Sequence, residues 1–239
     1  MDLNYTGKDL VHTVAEKKAI IFDLFHTLTA LETTWGDSRP FTYQMLGVSK
    51  QEWDRQLLER SRARLMGENQ DAVAIVAEMA HAIDPSIAAD VIRAATANRI
   101  ARFAGALIKI PEETMAVLRA LKSKDKRIGL ISNADTMEVA AWRQSPIAPL
   151  FDSTLFSCAV GCVKPEPRLY HISLRALGVT PASALFVGDG GSNELEGART
   201  LGITTVMIAG IIREIWPDKI PERRRHADFV IERLPELVA

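Results

Sequence analysis

The feature that most constrains this chain is a series of short apolar runs, most of which close on a polar residue. They are AIIFDLF at 19–25, RIGLISN at 127–133, SALFVGD at 183–189, ITTVMIAG at 203–210 and ADFVIERL at 227–234, with STLFS at 153–157 as a weaker member. Each is brief and rich in β-branched or aromatic residues, which favours a buried strand over a helix. Between them lie PEETMAVLRALKSK, TMEVAAWR, KPEPRLYHISLRALGV and NELEGARTLG, which carry helical spacing. Pro111 suits a first helical turn and Gly178 a left-handed helix end. Strand alternating with helix predicts an α/β fold: a Rossmann-like parallel sheet with helices on both faces and right-handed crossovers.

The alternation is interrupted once. Residues 33–108 show helical spacing and few strand signals, in SKQEWDRQLLERSRARLMGE, DAVAIVAEMAHA and PSIAADVIRAATANRIARFAGAL. Ser49 and Asp84-Pro85 read as helix starts. The expected organisation is a core of residues 1–32 and 109–239, with 33–108 as an all-helical insert placed after the first strand. With 239 residues and 47% hydrophobic content the chain can bury a sizeable core of this kind.

A net charge of −1 argues against a dedicated nucleic-acid surface, and Arg223-Arg224-Arg225 reads as a solvated local patch. No stretch has the length of a signal peptide or of a membrane span, so a soluble, cytoplasmic protein that does not engage membranes is expected. The two cysteines, Cys158 and Cys162, have no histidine cluster beside them and read as reduced thiols.

A parallel sheet brings the carboxyl ends of its strands to one edge, where ligands bind. Four polar positions then converge: Asp23, Ser132-Asn133, Lys164 before its helix, and Asp189 with Glu194. Any one of them alone would pass as a helix cap. Together they suit phosphoryl chemistry. A carboxylate can attack phosphorus and form an ester, provided the repulsion between two anions is relieved. Asp23 and Asp189 would ligate a magnesium ion, a hard cation that takes oxygen donors. Thr27, Ser132 and backbone N–H groups would hold phosphate oxygens. Lys164 would act as a point charge that lowers the pKa of the neighbouring carboxylates.

At these residues the sequence resembles the haloacid dehalogenase-like superfamily. FDLFHTL (22–28) is similar to its Asp-x-Asp-x-Thr motif, ISNA (131–134) to its second, and Lys164 in VKPEPRLY to its third. VGDGGSNELEGA (187–198) is similar to the fourth, a Gly-Asp followed by a second acid. The resemblance spans about residues 17–207 and implies a hydrolase with a helical C1-type cap at 33–108. It implies Asp23 as nucleophile, Lys164 and Thr27 as catalytic partners, and Ser132 and Asn133 as contacts to the transferred group. Magnesium would be held by Asp23, the backbone carbonyl of Phe25 and Asp189, with Glu194 behind or acting through water.

The departure is Phe25. Phosphatases of the family carry there an Asp that protonates the leaving group and then activates water. Its loss should weigh most on poor leaving groups and least on acyl or aryl phosphates. Haloacid dehalogenases carry an aromatic Tyr at that position, need no metal, and use a cap Arg for the halide; Arg39 and Arg55 are the candidates. Their fourth motif is Ser/Asn-rich and one residue shorter, whereas Gly188-Asp189 and Glu194 keep the metal-binding pattern. A phosphonatase-like route lacks its cap lysine, since Lys50 stands at the start of the block. His26, where the family has Gly, is either a substitute proton donor or a solvent or cap contact. Trp35 enters the cap and could line the pocket; Trp53, Trp142 and Trp216 read as packing residues. Residues 208–228 form a connection long enough to be an oligomer contact, a substrate loop or a flap. The leading expectation is a magnesium-dependent phosphatase of a small molecule, acting through an aspartyl-phosphate. The alternatives are a 2-haloacid dehalogenase-type C–X hydrolase and a weakly active or inert binding protein. Substrate identity and oligomeric state are not legible.

Overall fold

A computed structural model of the chain describes residues 7–31 and 39–239. Helix α1 (Gly7–Glu16), which the sequence reading did not anticipate, leads into β1 (Ala19–Phe22). Helices α2 (Thr42–Leu46), α3 (Lys50–Glu59), α4 (Ser61–Leu65), α5 (Ala72–Ile83) and α6 (Ala89–Ile108) follow before the sheet resumes. After α7 (Glu112–Ser123) come β2 (Arg127–Ser132), α8 (Thr136–Val139), β3 (Ser153–Phe156), α9 (Ser157–Val160) and α10 (Pro167–Leu177). The chain closes through β4 (Ala184–Gly188), α11 (Glu194–Thr200), β5 (Thr204–Ile208), α12 (Gly210–Ile215), α13 (Ile220–Arg223) and β6 (Phe229–Ile231).

The six strands pair in the order β3-β2-β1-β4-β5-β6, every pair parallel. The expected α/β fold with a Rossmann-like parallel sheet is therefore what the chain adopts. Side chains alternate between the two faces, as the period of a strand requires. Ile20, Phe22, Ile128, Leu130, Leu185 and Val187 join one cluster with Leu10 and Val14 of α1 and Leu118 and Leu121 of α7. Ile21, Ile131, Phe186 and Met207 join the other, with Leu169, Tyr170 and Leu174 of α10 and Leu195 and Ala198 of α11. Both faces being buried explains why the strands read as continuous apolar runs. Phe22 of β1 registers with Leu130 of β2 and Val187 of β4, so Asp23 emerges between two neighbouring strand ends.

From residue 39 to 108 the chain forms only helices and the turns that join them, and this block has a cluster of its own. Leu46, Trp53, Ile75, Val76, Met79 and Ile92 are buried there, together with Met137 of α8. Ser49 caps α3 by accepting from Glu52 N at 3.2 Å, and Glu52 answers in a capping box. The second expected start is displaced. Asp84 ends α5, its carboxylate accepts from Ser86 N at 2.8 Å, and α6 opens only at Ala89. The short polar side chain turns the backbone before a helix can begin. Pro111 stands one place before α7, at its N-cap, and Gly178 closes α10 in the left-handed conformation. The boundary expected at residue 32 and Trp35 lie outside the described residues. Among the described residues no helix is long and apolar enough to cross a membrane.

Ion pairs join the helical block to the sheet. Arg64 Nη1 of α4 donates to Asp135 Oδ2 at 2.6 Å, and Arg99 Nη2 of α6 to Glu138 Oε1 at 2.7 Å. Asp135 is fully buried and Arg64 nearly so. Four charges thus balance one another away from solvent, which holds the block over the carboxyl edge of the sheet.

Candidate active site

The site grows out of the turn that ends β1. Asp23 N donates to Val187 O at 2.9 Å, extending the β1–β4 ladder by one residue. The chain then folds back tightly, with Leu28 N on Leu24 O at 2.9 Å and His26 N on Thr29 O at 2.6 Å. This turn holds His26 at a positive φ of 62°. It also carries Thr27 behind Asp23, where its hydroxyl donates to Asp23 Oδ2 at 3.1 Å. Thr27 was expected to contact phosphate oxygens. It is buried and absent from the cavity wall, and its hydroxyl is spent on orienting the carboxylate.

Lys164 arrives from the loop before α10. Asn133 positions that loop with both ends of its amide: Oδ1 accepts from Lys164 N at 2.7 Å and Nδ2 donates to Lys164 O at 3.1 Å. The ammonium donates to Asp23 Oδ1 and, at 2.5 Å, to Glu194 Oε2. Glu194 is held in turn by Gly190 N, which donates to its Oε1 at 2.9 Å. A Cβ on Gly188 would lie 2.1 Å from that oxygen, so only glycine leaves room for the carboxylate. Asp189 accepts from Gly191 N on Oδ1 at 2.8 Å.

Asp23, Asp189 and Glu194 are all buried, and each offers a carboxylate oxygen within 4.8 Å of the others. Burial works against the charge of Lys164, but Asp23 and Glu194 together outweigh it and raise its pKa. The lysine is held as an ammonium. Burial raises the pKa of Asp23; Lys164 pulls it down, and the charge of Asp189 pushes it up again. Glu194 lies well above the ordinary carboxylate range, first through burial and then, against the pull of Lys164, through the charges of Asp23 and Asp189. Lys164 therefore acts downward on both acids, as expected, yet burial and mutual repulsion prevail. Such a cluster is short of positive charge.

A cavity of about 360 Å³ opens over this cluster. Asp23, Ser132, Asn133, Lys164, Asp189 and Glu194 line it, together with Phe25, His26, Glu138 and Phe103. The Phe25 ring meets Phe103 edge-on, with centroids 5.4 Å apart, so this part of the wall is apolar. His26 packs edge-on against Trp216 at 5.0 Å, and its Nδ1 is 3.8 Å from Asp189 Oδ2. His26 thus lines the site and packs against Trp216 of the 208–228 connection, a contact within the core rather than the expected solvent or cap contact. A second cavity of about 640 Å³, walled by Tyr43, Trp53 and Leu57 of the helical block, shares Leu31, Phe103 and Trp216 with the first.

Arg223 is the residue the sequence reading missed. Read there as part of a solvated run, it donates from Nη1 to Asp189 Oδ2 at 2.5 Å and lines the cavity. Trp216 is likewise a wall residue, 42% exposed, whereas Trp53 and Trp142 are packed as expected. The long 208–228 connection thus returns over the site, and nothing local in its sequence signals that. Arg39 and Arg55, the halide candidates, do not line this cavity. Arg39 donates to Ala101 O at 2.8 Å, and Arg55 lies exposed beside Glu59. Among the described residues the arginine on the wall comes from α13. Lys50 is paired with Asp54. Both cysteines are free and buried.

A parallel sheet whose central strand ends in a carboxylate, met there by a buried lysine and two further acids, is the frame of an α/β hydrolytic enzyme. A family model for haloacid dehalogenase-like hydrolase matches residues 17–202, and the chain belongs to that family. The bifunctional epoxide hydrolase 2 of Rattus norvegicus is 33% identical over 104 residues, 40% of this chain and 19% of the relative. The glyceraldehyde 3-phosphate phosphatase of Methanothermobacter thermautotrophicus is 30% identical over 118 residues, 48% of this chain and 51% of the relative. The chain thus spans about a fifth of the first relative and half of the second. A crystal structure of a dehalogenase superposes with a TM-score of 0.67 at 24% identity, covering 92% of this chain and 95% of that one. This likeness is one of fold.

Proposed function

We propose that this hydrolase is a magnesium-dependent phosphatase of small molecules, with Asp23 as nucleophile and the helical block 33–108 as a C1-type cap. The observation that carries it is the cluster of three buried carboxylates with donor atoms within 4.8 Å of one another. Three buried acids stand here against two cations, Lys164 and Arg223, which leaves negative charge for a further cation to meet. The donor set fits the ion, since it is all hard oxygen and its three acids outnumber the cations that meet them. Asp23, Asp189 and the Phe25 carbonyl would hold it, with Glu194 behind, and when bound it supplies electrostatic neutralisation of the phosphoryl oxygens.

The protein's own groups do the rest. Thr27 and Lys164 fix the two oxygens of Asp23, which attacks phosphorus as the bond to the leaving oxygen breaks. The Lys164 ammonium offsets the approaching anions, and Ser132 and Asn133 flank the transferred group. Water then cleaves the aspartyl-phosphate. Phe25 supplies no proton, so the favoured leaving groups are those stable as anions, such as acyl or aryl oxygens. The adjoining cavity with its aromatic walls supports an apolar leaving group. The phosphatase named above, similar over half its length, is consistent with this chemistry.

The test is phosphate release from a panel of phosphorylated metabolites and aryl phosphates, with Mg²⁺ and with EDTA. The wild type should release phosphate only with the metal, and Asp23→Asn should abolish turnover. Turnover retained in that variant rejects the assignment of the nucleophile. Phe25 favours a second reading, carbon–halogen hydrolysis, for which halide release insensitive to EDTA would be the signature.

A further inference from the structure

Each carboxylate oxygen of the acidic cluster has a protein donor, yet the two cations that serve them are placed very differently. Lys164 is enclosed, with its side chain 3% exposed, and it is shared between Asp23 and Glu194. Arg223 reaches in from the rim, with its side chain 17% exposed, and within the cluster it touches Asp189 alone. Its Nη1 binds Asp189 Oδ2 at 2.5 Å and lies 3.3 Å from the backbone oxygen of the same residue.

The seat of this arginine is built. Gly190 holds a φ of +82°, and a Cβ there would lie 2.8 Å from Cβ of Arg223, so the loop after Asp189 leaves space for the arginine stem. Trp216 backs the guanidinium at 5.7 Å. Arg223 also lines a separate cavity of about 350 Å³ between the loop at 190–193 and the segment 219–226. Lining both cavities, it stands on the wall between them.

We propose that Arg223 is a displaceable counter-ion at Asp189 that sets the affinity of the site for its divalent cation. This rests on the reading of the carboxylate cluster as a cation site. While the guanidinium holds Oδ2, that oxygen is closed to a cation, and apparent affinity falls by the fraction of molecules in that state. Cation binding moves Arg223 toward the neighbouring cavity. There it stays at the rim, beside the position of an anionic substrate. In the cation-free protein it relieves the repulsion among the three acids.

The experiment is calorimetric titration of the full chain with MgCl₂, which needs no turnover. R223M should bind Mg²⁺ about tenfold more tightly than wild type, or better, a gain of about 1.4 kcal/mol or more. It should also melt at a lower temperature than wild type in EDTA. R223K, whose point charge cannot reproduce the planar contact, should fall between the two in affinity. Equal or weaker binding by R223M overturns the proposal and leaves the phosphatase reading intact. No binding by any of the three overturns both. If R223M does not fold, R223K decides: tighter binding than wild type supports the proposal and unchanged binding rejects it.

Discussion

Replacing Phe25 with aspartate should separate two quantities that the wild-type residue ties together. The ring is half-buried and meets Phe103 edge-on at 5.4 Å. Burying a whole Phe contributes about 1.5–3 kcal/mol, so a half-buried ring contributes about 0.8–1.5 kcal/mol. The edge-on contact adds about 0.5–1.5 kcal/mol. Phe25→Asp should therefore destabilise the fold by about 1.3–3 kcal/mol, which lowers the melting temperature of a chain this size by roughly 3–12 °C. The same substitution puts a carboxyl group on the cavity wall, two residues after Asp23. General acid help is worth about 10²–10⁴-fold, or roughly 3–5 kcal/mol of barrier. The gain should appear with alkyl phosphates, whose leaving oxygen needs a proton, and be small with p-nitrophenyl phosphate. Melting by circular dichroism and phosphate release from the two substrates, at a temperature where both proteins are folded, measure the effects independently. A variant that melts as expected but gains nothing on alkyl phosphates would refute the claim that a missing proton donor limits this site.

Three further outcomes follow from the charges and thiols. Arg64→Met leaves Asp135 and Glu138 with Arg99 alone, and loss of one partner from a buried ion network should destabilise by about 3 kcal/mol or more in chemical denaturation; a change below about 1 kcal/mol would mean the network is solvated. Lys164→Met strands Asp23 and Glu194, so it should lower the melting temperature in EDTA and regain part of the loss in millimolar MgCl₂; equal loss in both buffers would speak against a cation there. The Cys158 thiol is pushed up to about 11, first by burial and then by the charges of Asp135 and Glu138. About one such thiol in a thousand is ionised at pH 8, so a disulfide reagent should label Cys158 slowly in the folded protein and rapidly after denaturation; fast labelling of the native chain would contradict its burial.

The sequence by itself determined the sheet. Short β-branched runs alternating with helical spacing leave few alternatives to parallel strands, because period and length are properties of the local chain. The polar residues closing those runs were legible for the same reason: Asp23, Ser132, Asn133 and Asp189 stand at or just beyond strand ends, and a parallel sheet gathers such ends at one edge. Lys164 and Glu194 were legible through their motifs, and the structure brings them to the same cluster. Only the tertiary structure decided what faces what. Thr27 reads as a phosphate contact until the turn at 24–29 tucks it behind Asp23. Arg64 and Arg99 look like solvated helix charges until they meet Asp135 and Glu138, 71 and 39 positions away. Arg223 sits in a basic run that reads as solvent-exposed, and its partner Asp189 is 34 positions distant. A long flexible side chain can reach any acid that folding brings near, and such pairings leave no periodic trace in the sequence. The strand ends place the carboxylates at the rim, and the return of α12 and α13 over that rim determines which cation meets them.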